Sequence, residues 1–440
     1  MIRVTLEKQD NKISFDIDMN FRTAILGENG IGKTSILKSI VAKASKDDWL
    51  SVAVPESVTV AYLSQIEPNL TTLSGGEHTK ERLMKLFSEK ADLYILDEPT
   101  NNLDEQNIEW LKDHILKNKL PIIFTSHDID FIDHIAEVIF YLDSKGVDKT
   151  KEKCSSYLVT RKKRVEREFS LYDIAVKKQK ELFEAARNVK QHSDAGAKWK
   201  GSDNDTFLRG FNRNKAGKSG VLAGRLKDRA EDMEVEKPKF DPLPKVILSS
   251  SITSNFIFSL STSTLSQKRI SLSQKSGDKL LVVGKNGVGK TMLMKYLVKL
   301  LENGNPQKDD EFSRGGKFSY MYLAQDWYEH LDDTKVADYL ETFGLEGNDI
   351  YKSLSFNHLD KNILEKKFKE LSPGVRIKVL LGALSCRSFD LIIWDEPTNH
   401  LDVMTQYVLH DAFLQYPGAL ILVSHDKLFL EDKKFTAVVL

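Results

Sequence analysis

The chain has 440 residues, 41% apolar and 29% charged, and its 64 basic and 64 acidic side chains leave a formal net charge of zero. That is the composition of a globular chain with room for two or three domains. Two cysteines, Cys154 and Cys386, exclude a disulfide framework or a four-thiolate cluster and suit a reducing, cytoplasmic setting. The opening MIRVTLEKQD lacks the form of a signal peptide, and the longest apolar runs, 120–124 and 419–423, fall far short of a bilayer span.

In chain order, the first feature is the glycine-rich octapeptide GENGIGKT at 27–34. Gln65 follows VAYLS, LSGGE occupies 73–77, YILDEPT ends at Thr100, NNLD ends at Asp104 and FTSHD ends at Asp128. Short apolar runs at 93–96 and 122–124 predict buried strands, and 79–88 and 107–117 predict helices. Residues 151–240 then carry 23 Lys and Arg against 14 Asp and Glu, a local net of +9. A basic middle between acidic flanks fits contact with nucleic acid, or a solvated charged helix.

The same series returns beyond this segment: GKNGVGKT at 284–291, Gln325 after MYLA, LSPGV at 371–375, IIWDEPT, NHLD and LVSHD ending at Asp426. Leu73 to Asp97 and Leu371 to Asp395 are both steps of 24 residues, and each aspartate lies 30 residues before a histidine, His127 or His425. Matching order and spacing make this an internal repeat. The copies differ in one place. Gln325 and Leu371 are separated by 45 residues, enough for a small helical subdomain, whereas Gln65 and Leu73 are separated by seven. Strand runs recur at 391–394 and 420–423, so each copy predicts a mostly parallel sheet covered by helices, an α/β fold. The domain boundaries expected are 1–150, 151–245 and 246–440.

Each motif implies a task. In G-x-x-x-x-G-K-T the glycines Gly27, Gly30 and Gly32, and again Gly284, Gly287 and Gly289, let backbone N–H groups curl around a β-phosphate at a helix N-terminus. Lys33 and Lys290 then reach the β- and γ-phosphates, while Thr34 and Thr291 ligate Mg²⁺. Asp97 and Asp395 can hold the Mg²⁺ shell through water, and Glu98 and Glu396 stand where a general base is needed. His127 and His425 read as γ-phosphate sensors, and Gln65 and Gln325 as water and Mg²⁺ contacts.

LSGGE and LSPGV, with DEPTN and SHD, resemble the ATP-binding-cassette proteins. Two cassettes in one chain with a charged connector resemble the F subfamily, which acts on ribosomes. The resemblance implies two P-loop cassettes that close face to face within one monomer, each ATP held between one cassette's phosphate loop and the other's signature. It adds Asn29, Ser35, Asn286 and Met292 to the ATP-contacting set. One composite site joins Lys33, Asp97, Glu98 and His127 to Ser372 and Gly374; the other joins Lys290, Asp395, Glu396 and His425 to Ser74, Gly75 and Gly76. This sequence departs from the family pattern at Pro373, Val375 and Asn102. A proline suits the first helical position after a serine cap, whereas Val375 puts full activity of the first composite site in question.

Between the cassettes, 161–193 predicts a long helix with a seam of Val165, Phe169, Tyr172, Val176, Phe183 and Ala186. A second helix, 220–236, carries Leu222, Leu226 and Met233, and the pair is expected to lie antiparallel. The intervening 194–219 reads as a tip loop holding Trp199, Phe207 and Phe211 among Arg209, Arg213 and Lys215. Cations bind phosphates and aromatic rings stack on exposed bases, so the tip suits folded RNA, or is a basic loop without structure. Such a linker resembles that of the antibiotic-resistance (Msr, Vga and Lsa) branch, whose linkers reach toward the peptidyl-transferase centre. The resemblance implies an ATPase using Mg²⁺ that binds the ribosome near the tRNA exit site and protects it from large-subunit antibiotics. The alternative is a housekeeping translation factor acting on stalled or idle ribosomes.

Overall fold

The structure, a computed structural model, describes residues 1–8, 11–44, 48–64, 75–101, 103–197, 206–251, 256–263, 269–285, 287–399 and 401–440. Residues Met1–Thr160 together with Pro242–Leu440 form one compact unit, and Arg161–Asp241 form another.

The first unit holds both cassettes. In the first, the central sheet runs Val60–Leu63, Leu93–Asp97, Ile122–Thr125, Thr23–Gly27, Val138–Leu142 and Val147–Thr150, parallel except at its last pair. The second repeats this order with Tyr320–Leu323, Leu391–Asp395, Ala419–Val423, Lys279–Val283 and Thr436–Val439, all parallel. The central strands are buried along their whole length, as a sheet covered on both faces requires. Each sheet has one core on each face. In the first cassette, Ile25, Ile95 and Ile123 pack one way, and Leu26, Leu96 and Phe124 the other. A three-stranded antiparallel sheet flanks each core, Asn11–Ile17, Ile2–Lys8 and Leu50–Ala53 in the first copy.

Parallel strands end together, so the phosphate loop, the acid pair and the switch histidine of each cassette all lie beyond the carboxyl ends of neighbouring strands. Residues 326–370 of the second cassette hold the short helices Val336–Thr342 and Asn348–Phe356 and three 3₁₀ turns. No described helix is long and apolar enough to cross a membrane.

The linker unit differs from the sequence expectation in extent and seam. Its first helix runs Cys154–Ala197, and its second begins at Thr206 and runs to Glu231. Of the tip expected at 194–219, residues 194–197 and 206–219 are therefore helical, and 198–205, with Trp199, lie outside the described residues. Four glycines at 210, 217, 220 and 224 and two asparagines at 212 and 214 lower helix propensity in this second helix. Tertiary pairing outweighs them: Ala216, Ala223 and Ala230, seven residues apart, are all buried. Small side chains let the helices approach closely, and the closeness shows in two bonds. Ser193 Oγ donates to the carbonyl of Ala216 at 2.7 Å, and Gln179 Nε2 to that of Ala230 at 2.9 Å. Moving 14 residues back along one helix moves 14 forward along the other, which makes the pair antiparallel. Phe183 and Leu222, assigned to the seam, are exposed, while Leu182 is half-buried. The seven-residue row through Gln179 and Ala186 leaves Phe183 on its flank.

Candidate functional site

Both phosphate loops owe their course to glycine. Gly27, Gly30 and Gly32 have φ of 144°, 83° and 108°, a left-handed region that side chains disfavour. A Cβ at Gly27 would strike the carbonyl of Leu142. Gly32 and Gly289 stand at the N-caps of Lys33–Ala42 and Lys290–Asn303 with no side chain capping either helix. Their first N–H groups are left to the loop, where an anion would satisfy them.

Lys33 Nζ lies back across its loop, donating to the carbonyls of Gly27 at 2.8 Å and Glu28 at 3.0 Å. Lys290 does the same with Gly284 at 2.8 Å and Lys285 at 3.3 Å. Burial lowers the proton affinity of both amines; Glu98 and Asp402 counter it at Lys33, and Glu396 and Asp395 at Lys290. A buried ammonium held by carbonyls, beside an uncapped helix end, fits a polyphosphate.

Thr34 Oγ1 and Thr125 Oγ1 converge on Asp97 Oδ1 at 3.4 and 2.8 Å, and Thr291 Oγ1 donates to Asp395 Oδ2 at 2.6 Å. A hydroxyl beside a carboxylate at this spot is an all-oxygen donor set that fits a hard divalent cation. The next residue in each copy, Glu98 or Glu396, has φ of 50° or 51°. This conformation is costly for a side-chain-bearing residue, and it turns the carboxylate out of the strand into the cleft. Burial pushes Glu98 up to about 8 against the pull of Lys33, and burial with Asp395 pushes Glu396 up to about 7.

The histidines face these acids. His127 donates its backbone N–H to Glu98 Oε2 at 3.2 Å, and its Nε2 lies 3.2 Å from Oε1. His425 Nε2 is 3.8 Å from Glu396 Oε1 but 2.7 Å from Lys290 Nζ. Gln325, Glu396 and Asn399 line a common cavity.

The two cassettes meet at these elements. Ser372 is the N-cap of Pro373–Ser385 without capping it through its hydroxyl. A Cβ on Gly374 would stand 3.5 Å from that of Asn29, and Lys378 Nζ reaches Glu28 Oε2 at 3.3 Å. The second signature thus lies on the first phosphate loop. Charge reaches across the contact too: Asp402 of the second cassette partly offsets the lowering at Lys33 by burial, and Glu105 of the first does so at His425.

Of the remaining expected residues, Gln65, Ser74, Asn102 and Asn286 lie outside the described residues. Gly75 and Gly76 open the helix Gly75–Ser88. Ser35 is half-buried and Met292 exposed. Phe207, Arg209, Phe211 and Arg213 sit on the second linker helix, and Lys215, on the same helix, is exposed. Sequence reasoning missed Thr125, whose position two residues before His127 was the available signal.

Comparison with known proteins points the same way. The family description "ABC transporter" matches residues 267–399. The chain is 28% identical to the ribosome protection protein VmlR of Bacillus subtilis over 449 residues, spanning 92% of this chain and 79% of that protein. It is 27% identical to ABC transporter F family member 2 of Arabidopsis thaliana, spanning 82% and 52%. Among solved structures, the complex of archaeal ribosomal stalk protein aP1 with the archaeal ribosome recycling factor aABCE1 contains a chain of like fold. Its TM-score is 0.55 at 14% identity, covering 96% of this chain and 84% of that one.

Proposed function

The chain belongs to the F family of ATP-binding-cassette proteins and is an ATPase, and from that premise we propose that it binds ribosomes in its ATP-closed form and protects them from antibiotics of the large subunit. The observation that carries the reading is the approach of the second signature helix to the first phosphate loop, in a chain that also has a separate two-helix unit of basic composition. Closure on ATP completes the composite sites, and hydrolysis reopens them. VmlR, similar over nearly the whole chain, supports ribosome protection as the outcome. The chain works in the cytoplasm as a monomer with paired cassettes.

In each site the loop N–H groups and Lys33 or Lys290 hold the β- and γ-phosphates. Mg²⁺, when bound, neutralises charge on those phosphates; Thr34 and Gln65, or Thr291 and Gln325, would hold it, with Asp97 or Asp395 acting through water. Glu98 and Glu396 orient the attacking water and accept its proton as it bonds to the γ-phosphorus and the bond to the leaving ADP oxygen breaks. A carboxyl raised toward neutrality is suited to taking that proton. His127 and His425 fix the carboxylate and contact the γ-phosphate. Phe207, Arg209, Phe211, Arg213 and Lys215, with Trp199 at the tip, supply cations and rings to ribosomal RNA near the tRNA exit site.

The test is drug sensitivity of cells with and without the gene. Protection against a large-subunit antibiotic supports the proposal. An absence of protection against every such drug favours the alternative, a translation factor for stalled or idle ribosomes.

A further inference from the structure

The contact between the cassettes is built differently on its two sides. Lys427, two residues after His425, reaches into the first cassette. Its Nζ lies 3.1 Å from Glu109 Oε1 and 3.1 Å from Asp130 Oδ2, three residues after His127. Lys112, almost fully buried, bridges the same two carboxylates, at 2.8 Å to Glu109 and in contact with Asp130. Two lysines and two carboxylates alternate in a neutral cluster, and three of the four belong to the first cassette. Asp130 also faces His134, with 3.2 Å between Oδ1 and Nδ1.

The internal repeat supplies the comparison. Positions 298 apart correspond, as Asp97 and Asp395 do. The counterparts of Lys427, Glu109 and Asp130 are Ile129, Tyr407 and Leu428. Those three pack in the first cassette's apolar core together with Val403 and Met404 of the second. So around these helices the contact is ionic on one side of its pseudo-twofold axis and mainly apolar on the other, where Lys378 and Glu28 add one ion pair at the first phosphate loop.

Each side belongs to one ATP site. Lys427, held by Glu109, follows His425 of the second site by two residues. Val403 and Met404 pack in one core with Leu26, the residue before the first phosphate loop. Partly exposed ion pairs are worth little and rehydrate when separated, whereas apolar contact is lost outright on opening.

The geometry points to Lys427 as a positioning residue, an ionic latch that lets the interface open at the second ATP site while the apolar side keeps the first closed. This rests on the two-site ATPase reading above. The latch makes the sites unequal: the second exchanges nucleotide rapidly and in a salt-dependent way, the first slowly.

The test is stopped-flow release of a fluorescent ATP analogue from the full chain carrying Glu98→Gln and Glu396→Gln, so that hydrolysis does not intrude. The expected trace has two phases. Lys427→Met speeds the fast phase about fivefold, the worth of about 1 kcal/mol of ion pairing, and removes its salt dependence. Lys427→Arg keeps the original rate, and the charge swap Lys427→Glu with Glu109→Lys restores most of it. Equal acceleration of both phases, or none, overturns the latch while leaving the ATPase reading in place. Failure of the starting protein to bind the analogue overturns both.

Discussion

Lys290 Nζ and His425 Nε2 stand 2.7 Å apart in the second cassette, whereas the matching histidine of the first, His127, turns to Glu98 at 3.2 Å. An ammonium can only donate, so at this distance the imidazole nitrogen accepts and is unprotonated. Burial lowers the proton affinity of His425, and Lys290 lowers it further. By NMR, the His425 ring in the nucleotide-free protein should titrate below its ordinary 6.5, and Lys290→Met should move it upward. No movement on losing the lysine would remove this contact from the account.

The two glutamates should not be equal. The second phosphate loop is paired by the repeat with the intact LSGGE, and the first faces LSPGV with Val375. Glu396→Gln should therefore slow steady-state ATP turnover more than Glu98→Gln. Loss of both should lower the rate about 10²- to 10⁴-fold while ATP still binds. Equal single-variant losses would dispose of the signature argument, and an unimpaired double variant would dispose of the site.

Asp426 carries a pH prediction. Burial, with Asp128 and Asp130 nearby, pushes it from 3.8 up to about 6. A carboxyl with a raised folded-state pKa favours the folded state fully below 3.8 and loses that contribution as pH rises through about 6. Asp426→Asn can still accept from Leu428 N–H and has no charge to bury. Its Tm should match the wild type near pH 4 and exceed it at pH 7. A gap that stays constant with pH would contradict the assignment.

The linker seam is testable by overpacking. Ala223 is buried between two close helices, so Ala223→Leu should destabilise the linker unit by about 1–3 kcal/mol. Hydrogen exchange along the linker helices should rise, while basal ATPase activity holds. Unchanged exchange would mean the helices are not packed through this row.

The ATP sites were legible in sequence because their chemistry is local. A phosphate loop is eight consecutive residues, and Asp97–Glu98 and Asp395–Glu396 are adjacent pairs at a strand end. The linker was half legible. Large residues drew the seam onto Phe183 and Leu222, while the actual row of Ala216, Ala223 and Ala230 is inconspicuous by composition and lies among glycines. The ionic latch was not legible at all. Lys427 and Glu109 are 318 residues apart, and no periodicity connects them. Only the repeat, read with the fold in hand, exposes Ile129 as the apolar counterpart of Lys427.

In the proposed mechanism, closed cassettes hold this chain on ribosomes through the linker. The direct measurement is co-sedimentation of the Glu98→Gln, Glu396→Gln protein with 70S ribosomes in ATP, with and without Arg209→Ala and Arg213→Ala. Stable association that needs ATP and weakens as salt rises is expected, with the arginine variants binding less at every salt concentration. A double-glutamate variant that binds ATP yet leaves the ribosomes entirely in the supernatant fraction of the assay would contradict it.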